Sequence, residues 1–144
     1  MRARDAVRNA PVTASGTSTM AEVAELMERA VVGAVVIVDD GAPIGIVTDR
    51  DLVTRGMARR LPPERPVIDV MSINLVTLDA DADLRDAISL FASHAIRRLP
   101  LVDNDRVVGV LSFDDLVLDT VADLAALVRP VVDEVIFDRP SAAQ

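Results

Sequence analysis

The chain has no cysteine, no lysine, no tryptophan and no tyrosine among its 144 residues, and a single histidine, His94. Without cysteine there are no disulfides, no thiolate catalysis and no Cys-based zinc site. Without lysine there is neither a Schiff-base amine nor the lysine of a phosphate-binding P-loop. One histidine gives little basis for a His-rich metal centre or a conventional catalytic triad, so no metal site and no cofactor are expected. Three phenylalanines are the only aromatics, which withholds the stacking platforms of a single-strand nucleic-acid binder. The net charge of −8 also opposes binding to nucleic acid or anionic membranes. No apolar run approaches a membrane span, and residues 1–12 lack the apolar centre of a signal peptide, so the expected location is cytoplasmic. Arginine as the only long basic residue, with abundant Ala, Val and Asp, fits a GC-rich bacterial genome.

What is present is a repeat. Gly45-Ile46-Val47-Thr48-Asp49-Arg50-Asp51-Leu52 recurs as Gly109-Val110-Leu111-Ser112-Phe113-Asp114-Asp115-Leu116, 64 residues later. The same offset relates Asp5 to Asp69, Val12-Thr13 to Val76-Thr77, Leu26 to Leu90 and Val38-Asp39 to Val102-Asp103. A register held without gaps over so much of the chain indicates duplication of one supersecondary unit. The proline-rich stretch 61–66 reads as the linker. The expected divisions are therefore 1–64, 65–128 and a C-terminal extension, 129–144.

Each unit reads as strand, helix, strand, strand, helix, an α+β pattern. Thr19-Met20-Ala21-Glu22 has the form of a capping box, and Asp83 with Asp86 is its acidic equivalent. The helices they start place Met20, Val23, Ala24 and Met27, then Leu84, Ala87, Ile88 and Phe91, at helical spacing, and these faces are expected in the core. Short β-branched runs at 35–38 and 44–47 flank Asp39-Asp40-Gly41-Ala42, a hairpin signal repeated by runs at 99–102 and 107–111 around Asp103-Asn104-Asp105. Second helices are expected over about 50–60 and 114–128, with Pro130 limiting the latter. Residues 131–137 read as either a strand or a packing helix, and 138–144 as a frayed end. One unit of this size buries too little apolar surface to stand alone, so the two must pack together across a pseudo-twofold axis, bringing the glycine motifs near a shared cleft.

The pattern resembles the CBS domain, named from cystathionine β-synthase, and the chain as a whole is similar to a stand-alone tandem CBS pair. The residues that carry the likeness are the two glycine motifs, Arg97-Arg98-Leu99-Pro100-Leu101-Val102-Asp103, and the opening strands Pro11-Val12-Thr13 and Leu75-Val76-Thr77. The resemblance spans about 5–128. It implies a regulatory module, often a disc-like dimer of pairs, that binds adenine nucleotides or related ligands in clefts between the repeats and acts on an enzyme, channel or transporter.

In both motifs a hydroxyl residue ends a strand and an aspartate follows three positions later, in the first turn of a helix. Helix N-termini attract phosphate and carboxylates hold sugar hydroxyls, which suggests two related ligand sites. The resemblance gives Asp51 and Asp115 to ribose; the alternative is an acid that simply favours the helix dipole. Thr48 and Ser112 are placed to donate to phosphate. Arg97 and Arg98 replace Gly33 and Ala34 of the first unit, and stand either against phosphate or as a solvated pair offsetting Asp103 and Asp105. Arg50 either reaches phosphate or pairs with a neighbouring acid. An adenine slot could draw on Val12, Thr13, Val35 and Val36, or on Val76, Thr77, Leu99 and Leu101, all of which also suit core strands. His94, near a helix C-terminus, fits a capping or surface role better than ligand contact.

Two functions follow. The first is a ligand-sensing regulatory module that takes AMP, ADP, ATP or a related adenosyl compound, as a homodimer acting on an unidentified protein. The second is a ligand-free dimerisation or interaction module. An enzyme is the least supported reading, because no nucleophile is paired with a base and no carboxylate spacing points to a reaction.

Overall fold

The computed structural model describes residues 1–137. The first repeat contains strand β1 (Thr13–Ser15), helix α1 (Met20–Ala30), strands β2 (Ala34–Asp39) and β3 (Ala42–Thr48), and helix α2, which opens at Asp49–Asp51 and continues as a π-helical turn over Leu52–Met57. The second contains β4 (Leu78–Asp79), α3 (Leu84–His94), β5 (Arg98–Asp103), β6 (Arg106–Ser112) and α4 (Phe113–Phe137). Each repeat forms a three-stranded sheet, β1-β2-β3 or β4-β5-β6, with the opening strand parallel to the hairpin behind it. This is the expected α+β pair of β-α-β-β-α repeats.

Local chemistry explains the elements. The Thr19 hydroxyl accepts from the Glu22 amide (3.1 Å) and the Asp83 carboxylate from the Arg85 amide (2.8 Å), satisfying orphan donors at the starts of α1 and α3. Both helices end on a left-handed residue, Val31 in one and Ala95 in the other, which keep the 64-residue offset. Both hairpins turn through two left-handed residues, Asp40-Gly41 and Asn104-Asp105, the geometry that matches strand twist.

Packing joins the repeats by exchange. A 3-10 turn at Ala3–Ala6 precedes the first repeat, yet Ala3 is fully buried in the second repeat's core with Ala87, Phe91, Leu99, Leu101 and Leu111. The corresponding turn at Val67–Asp69 precedes the second repeat, and Val67, Val70 and Met71 fill the first repeat's core with Met20, Val23, Val35, Ile37 and Val47. The backbone bonds are reciprocal. Ala3 donates to Ala82 and Arg4 to Ala80, while Val67 donates to Ser18 and Ile68 to Gly16. Ion pairs add to the first of these seams: Arg4 reaches Asp103 at 3.0 Å and Asp81 at 2.7 Å. The Asp103 bond, with Asp81 behind it, raises Arg4 above the ordinary arginine value, so it stays charged throughout the physiological range.

The exchange also accounts for the repeated glycine. A Cβ on Gly45 would meet Met71 Sδ at 2.6 Å and the Ser72 carbonyl at 2.8 Å, and one on Gly109 would meet Val7 at 3.1 Å. Gly45 and Gly109 are thus where the exchanged segments lie against strands β3 and β6.

Four expectations need correction. Pro130 does not stop α4, which continues to Phe137 and resolves 131–137 as helix. Residues 121–133 are exposed, so the carbonyl left without its proline N–H partner can turn to water. The second opening strand does not start at Leu75-Val76-Thr77 but at Leu78. In the first repeat the Val36 amide bonds the Val12 carbonyl (3.2 Å), whereas the equivalent of Val36 is Pro100, which has no N–H to give. Ala24 and Ile88 are exposed, because α1 and α3 bury a narrower stripe and turn these positions toward the second helix of their repeat. Asp103, finally, is held by Arg4 and not by the arginine pair. Residues 138–144 lie outside the described residues.

Two outcomes test the exchange. Val67→Ala should lower stability by about 2 kcal/mol through lost burial in a core that is not its own repeat's, seen as one cooperative urea transition shifted as a whole. Gly45→Ala should cost about 1–3 kcal/mol, more than Gly109→Ala, because a backbone carbonyl yields less readily than the valine side chain.

Candidate functional site

Along β2 and β5 alternate residues face opposite ways. Val35 and Ile37, like Leu99 and Leu101, point into the cores, while Val36 and Pro100 face the other repeat. Where those inner faces meet, a cleft of about 360 Å³ opens, within the size range of small-molecule sites. Its apolar surface comes from Val12, Val36, Ile46 and Val110. One wall is the segment 8–12, a second is the turn and strand start at 31–34, and the third is the β6–α4 junction with Ser112, Asp114 and Asp115, beside Arg98.

The cleft gathers five of the residues singled out in the sequence: Val12, Val36, Arg98, Ser112 and Asp115. It does not gather the others. Val35, Leu99 and Leu101 have no exposed surface, because the strand alternation commits them to the cores. Thr13 lies on the far side of β1 beside Ser18 and Leu26. Val76 packs on the second core, and Thr77 sits just before β4. Arg50 is exposed at the start of α2. His94 ends α3, with Nδ1 2.9 Å from the Ser93 hydroxyl.

The two motif aspartates differ sharply. Asp51 is tied into a reciprocal capping box: its carboxylate accepts from the Thr48 amide (2.9 Å), and the Thr48 hydroxyl accepts from the Asp51 amide (3.1 Å). Its side chain is only 18% exposed, and Arg55 approaches the other oxygen at 3.8 Å. Thr48 and Asp51 therefore satisfy one another. Among the described residues, the Asp115 carboxylate has no hydrogen bond or ion pair; it lines the cleft at the start of α4, where backbone N–H groups and the helix dipole favour an anion.

The arginine pair divides as well. Arg97 is 70% exposed and bonds Asp114 at 2.5 Å; Arg98 lies deeper, 31% exposed, with Asp114 at 3.6 Å. Asp114, between the pair and Asp115, was not singled out, though it stands in the motif itself. Arg8 was missed for a different reason: it lies outside both motifs and reaches the cleft only because its segment is exchanged. The symmetry fails there too. Arg8's counterpart, Ser72, bonds both backbone groups of Ile46 on β3 (2.8 and 3.0 Å), while among the described residues Arg8 and Val110 form no such bridge.

Two exchanged α+β repeats with a cleft at their junction define a tandem-repeat module. The CBS domain model matches residues 3–57 and 67–119, and the chain belongs to that family. CBS domain-containing protein YhcV of Bacillus subtilis is 37% identical over 123 residues, covering 85% of this chain and 88% of its own. The structure of CBS domain protein PAE2072 from Pyrobaculum aerophilum, complexed with AMP, has a TM-score of 0.75 at 27% identity, covering 88% of this chain and 99% of that one. That of Hypoxic Response Protein I with two coordinated zinc ions has a TM-score of 0.74 at 29% identity, covering 82% and 98%. Here there is no cysteine and one histidine, and among the described residues no three His, Asp or Glu side chains cluster to hold a metal ion.

The difference between the aspartates is measurable in stability alone. Asp51→Ala should cost about 1 kcal/mol by removing the reciprocal cap, whereas Asp115→Ala should change the urea-unfolding free energy by less than about 0.5 kcal/mol.

Proposed function

We propose that the chain is a regulatory module that senses an adenosine-containing nucleotide, AMP, ADP, ATP or a related adenosyl compound, in the cleft at the β6–α4 junction. The observation that carries this reading is the unpartnered Asp115 carboxylate, set beside apolar Val12, Val36, Ile46 and Val110. The AMP complex of PAE2072, a protein of the same family and fold, supports the ligand class. Asp115 accepts from the ribose hydroxyls in charge-assisted bonds, and Ser112, Arg98 and the first amides of α4 receive the phosphate. The base lies on Val12 and Val36.

The first motif, at the β3–α2 junction, is the weaker site. Thr48 and Asp51 bind a ligand only after their cap opens, and Arg50 and Arg97 stand outside the described cleft. The unequal sites make the module a single-site sensor at low ligand concentration. The protein it regulates is a separate one, in the cytoplasm. No helix among the described residues is long and apolar enough to cross a membrane.

A second reading, dimerisation without ligand, is favoured by α4. Val117, Val121, Leu124, Val128, Val131 and Val135 recur at alternating spacings of four and three, and each is 42–74% exposed. Asp119, Asp123 and Asp133 fall on the opposite side, so two copies can join these seams without bringing like charges together. The seam accords with a homodimer and is compatible with nucleotide binding.

Calorimetric titration with AMP separates the two. The sensing reading expects saturable binding, weakened at least about tenfold by Asp115→Ala and less than about threefold by Asp51→Ala. Absence of heat and of thermal stabilisation with AMP, ADP and ATP alike leaves only the dimer reading. That reading is tested by sedimentation: Leu124→Glu should convert a dimer to a monomer, and a wild type that sediments as a monomer contradicts it.

A further inference from the structure

We propose that Arg8 reads the charge on the bound ligand and that its ion pair with Asp119 links cleft occupancy to helix α4; this rests on the nucleotide reading of the cleft. Arg8 lies on the exchanged segment, fixed on one side by Val7 against Gly109 and on the other by Val12 bonded to Val36. Its backbone is thus held at the cleft wall while its side chain, 53% exposed, remains free to change partner. The partner it has is Asp119.

Asp119 is four residues beyond Asp115, on the same face of α4. A ligand whose sugar is held at Asp115 therefore has a second carboxylate next along the helix, and that carboxylate repels an anionic ligand unless Arg8 stands between them. A phosphate offers Arg8 a better acceptor than a solvated carboxylate, because the planar guanidinium donates to two of its oxygens at once. Transfer of Arg8 from Asp119 to phosphate favours AMP over adenosine and releases the contact that ties segment 8–12 to α4. The device belongs to one cleft only, since the counterpart of Arg8 is Ser72, which is engaged with Ile46.

Titrations of AMP and of adenosine into wild type, Arg8→Gln and Asp119→Asn test this. Arg8→Gln should weaken AMP about tenfold and adenosine by less than about twofold. Asp119→Asn should tighten AMP by about two- to fivefold, by removing the competing acceptor, with adenosine unchanged. Arg8→Lys should restore part of the AMP preference, and the thermal midpoints of all variants should stay near wild type. Equal weakening of both ligands by Arg8→Gln, or AMP binding not tightened by Asp119→Asn, overturns the assignment. A wild type that binds both ligands but prefers neither overturns Arg8's role alone. One that binds neither overturns the nucleotide reading, and this inference with it.

Discussion

Each repeat completes its core with residues that belong, in sequence, to the other. Ala3 is buried among Ala87, Phe91 and Leu99, and Val67 among Met20, Val23 and Val35, so neither half has a finished interior without its partner. A half of this length is at the lower limit of what a single core can stabilise, and exchange joins two marginal cores into one cooperative unit. The rest of the architecture follows from it. The glycines that open the repeated motif lie beneath the exchanged segments, and Val36, Ile46 and Val110 come together in the cleft at the junction.

The same exchange produces the cleft and makes it unequal to its counterpart. A segment that crosses from one repeat to the other must pass the junction, and residues 8–12 do so as a wall, whereas Ser72 is bonded to β3. Two prolines deepen the difference. Pro100 cannot repeat the Val36 bond that extends β1, and Pro43 cannot repeat the bond from the Val107 amide to the Gly41 carbonyl that joins the repeats (3.0 Å). The duplicated frames thus differ in single backbone donors and in a few charged side chains.

Much of the fold was legible because it is local. Capping residues, helical spacing, left-handed hairpin turns and the constant offset each report on a few neighbouring residues, and the strands and helices fall close to where those signals put them. The site was less legible because it depends on which side chains find partners. Asp51 and Asp115 occupy equivalent positions in near-identical motifs, yet one is held by Thr48 and the other is open to the cleft. No spacing distinguishes them. Val35, Leu99 and Leu101 were plausible slot residues until strand alternation put them in the cores, and Arg8 carried no motif at all. Pro130 was a stop signal by composition, overridden where a solvated helix tolerates one missing bond.

Nucleotide sensing as proposed requires that the β6–α4 junction, and not the β3–α2 junction, take the ligand. Backbone amide shifts recorded as AMP is titrated into uniformly labelled protein test it directly. Saturable shifts are expected at Ala34, Ser112, Asp115 and neighbouring amides, with those of Thr48 and Asp51 still at rest when the first set is saturated. Shifts that begin at Thr48 and Asp51, or that leave Ser112 and Asp115 unmoved, would contradict it.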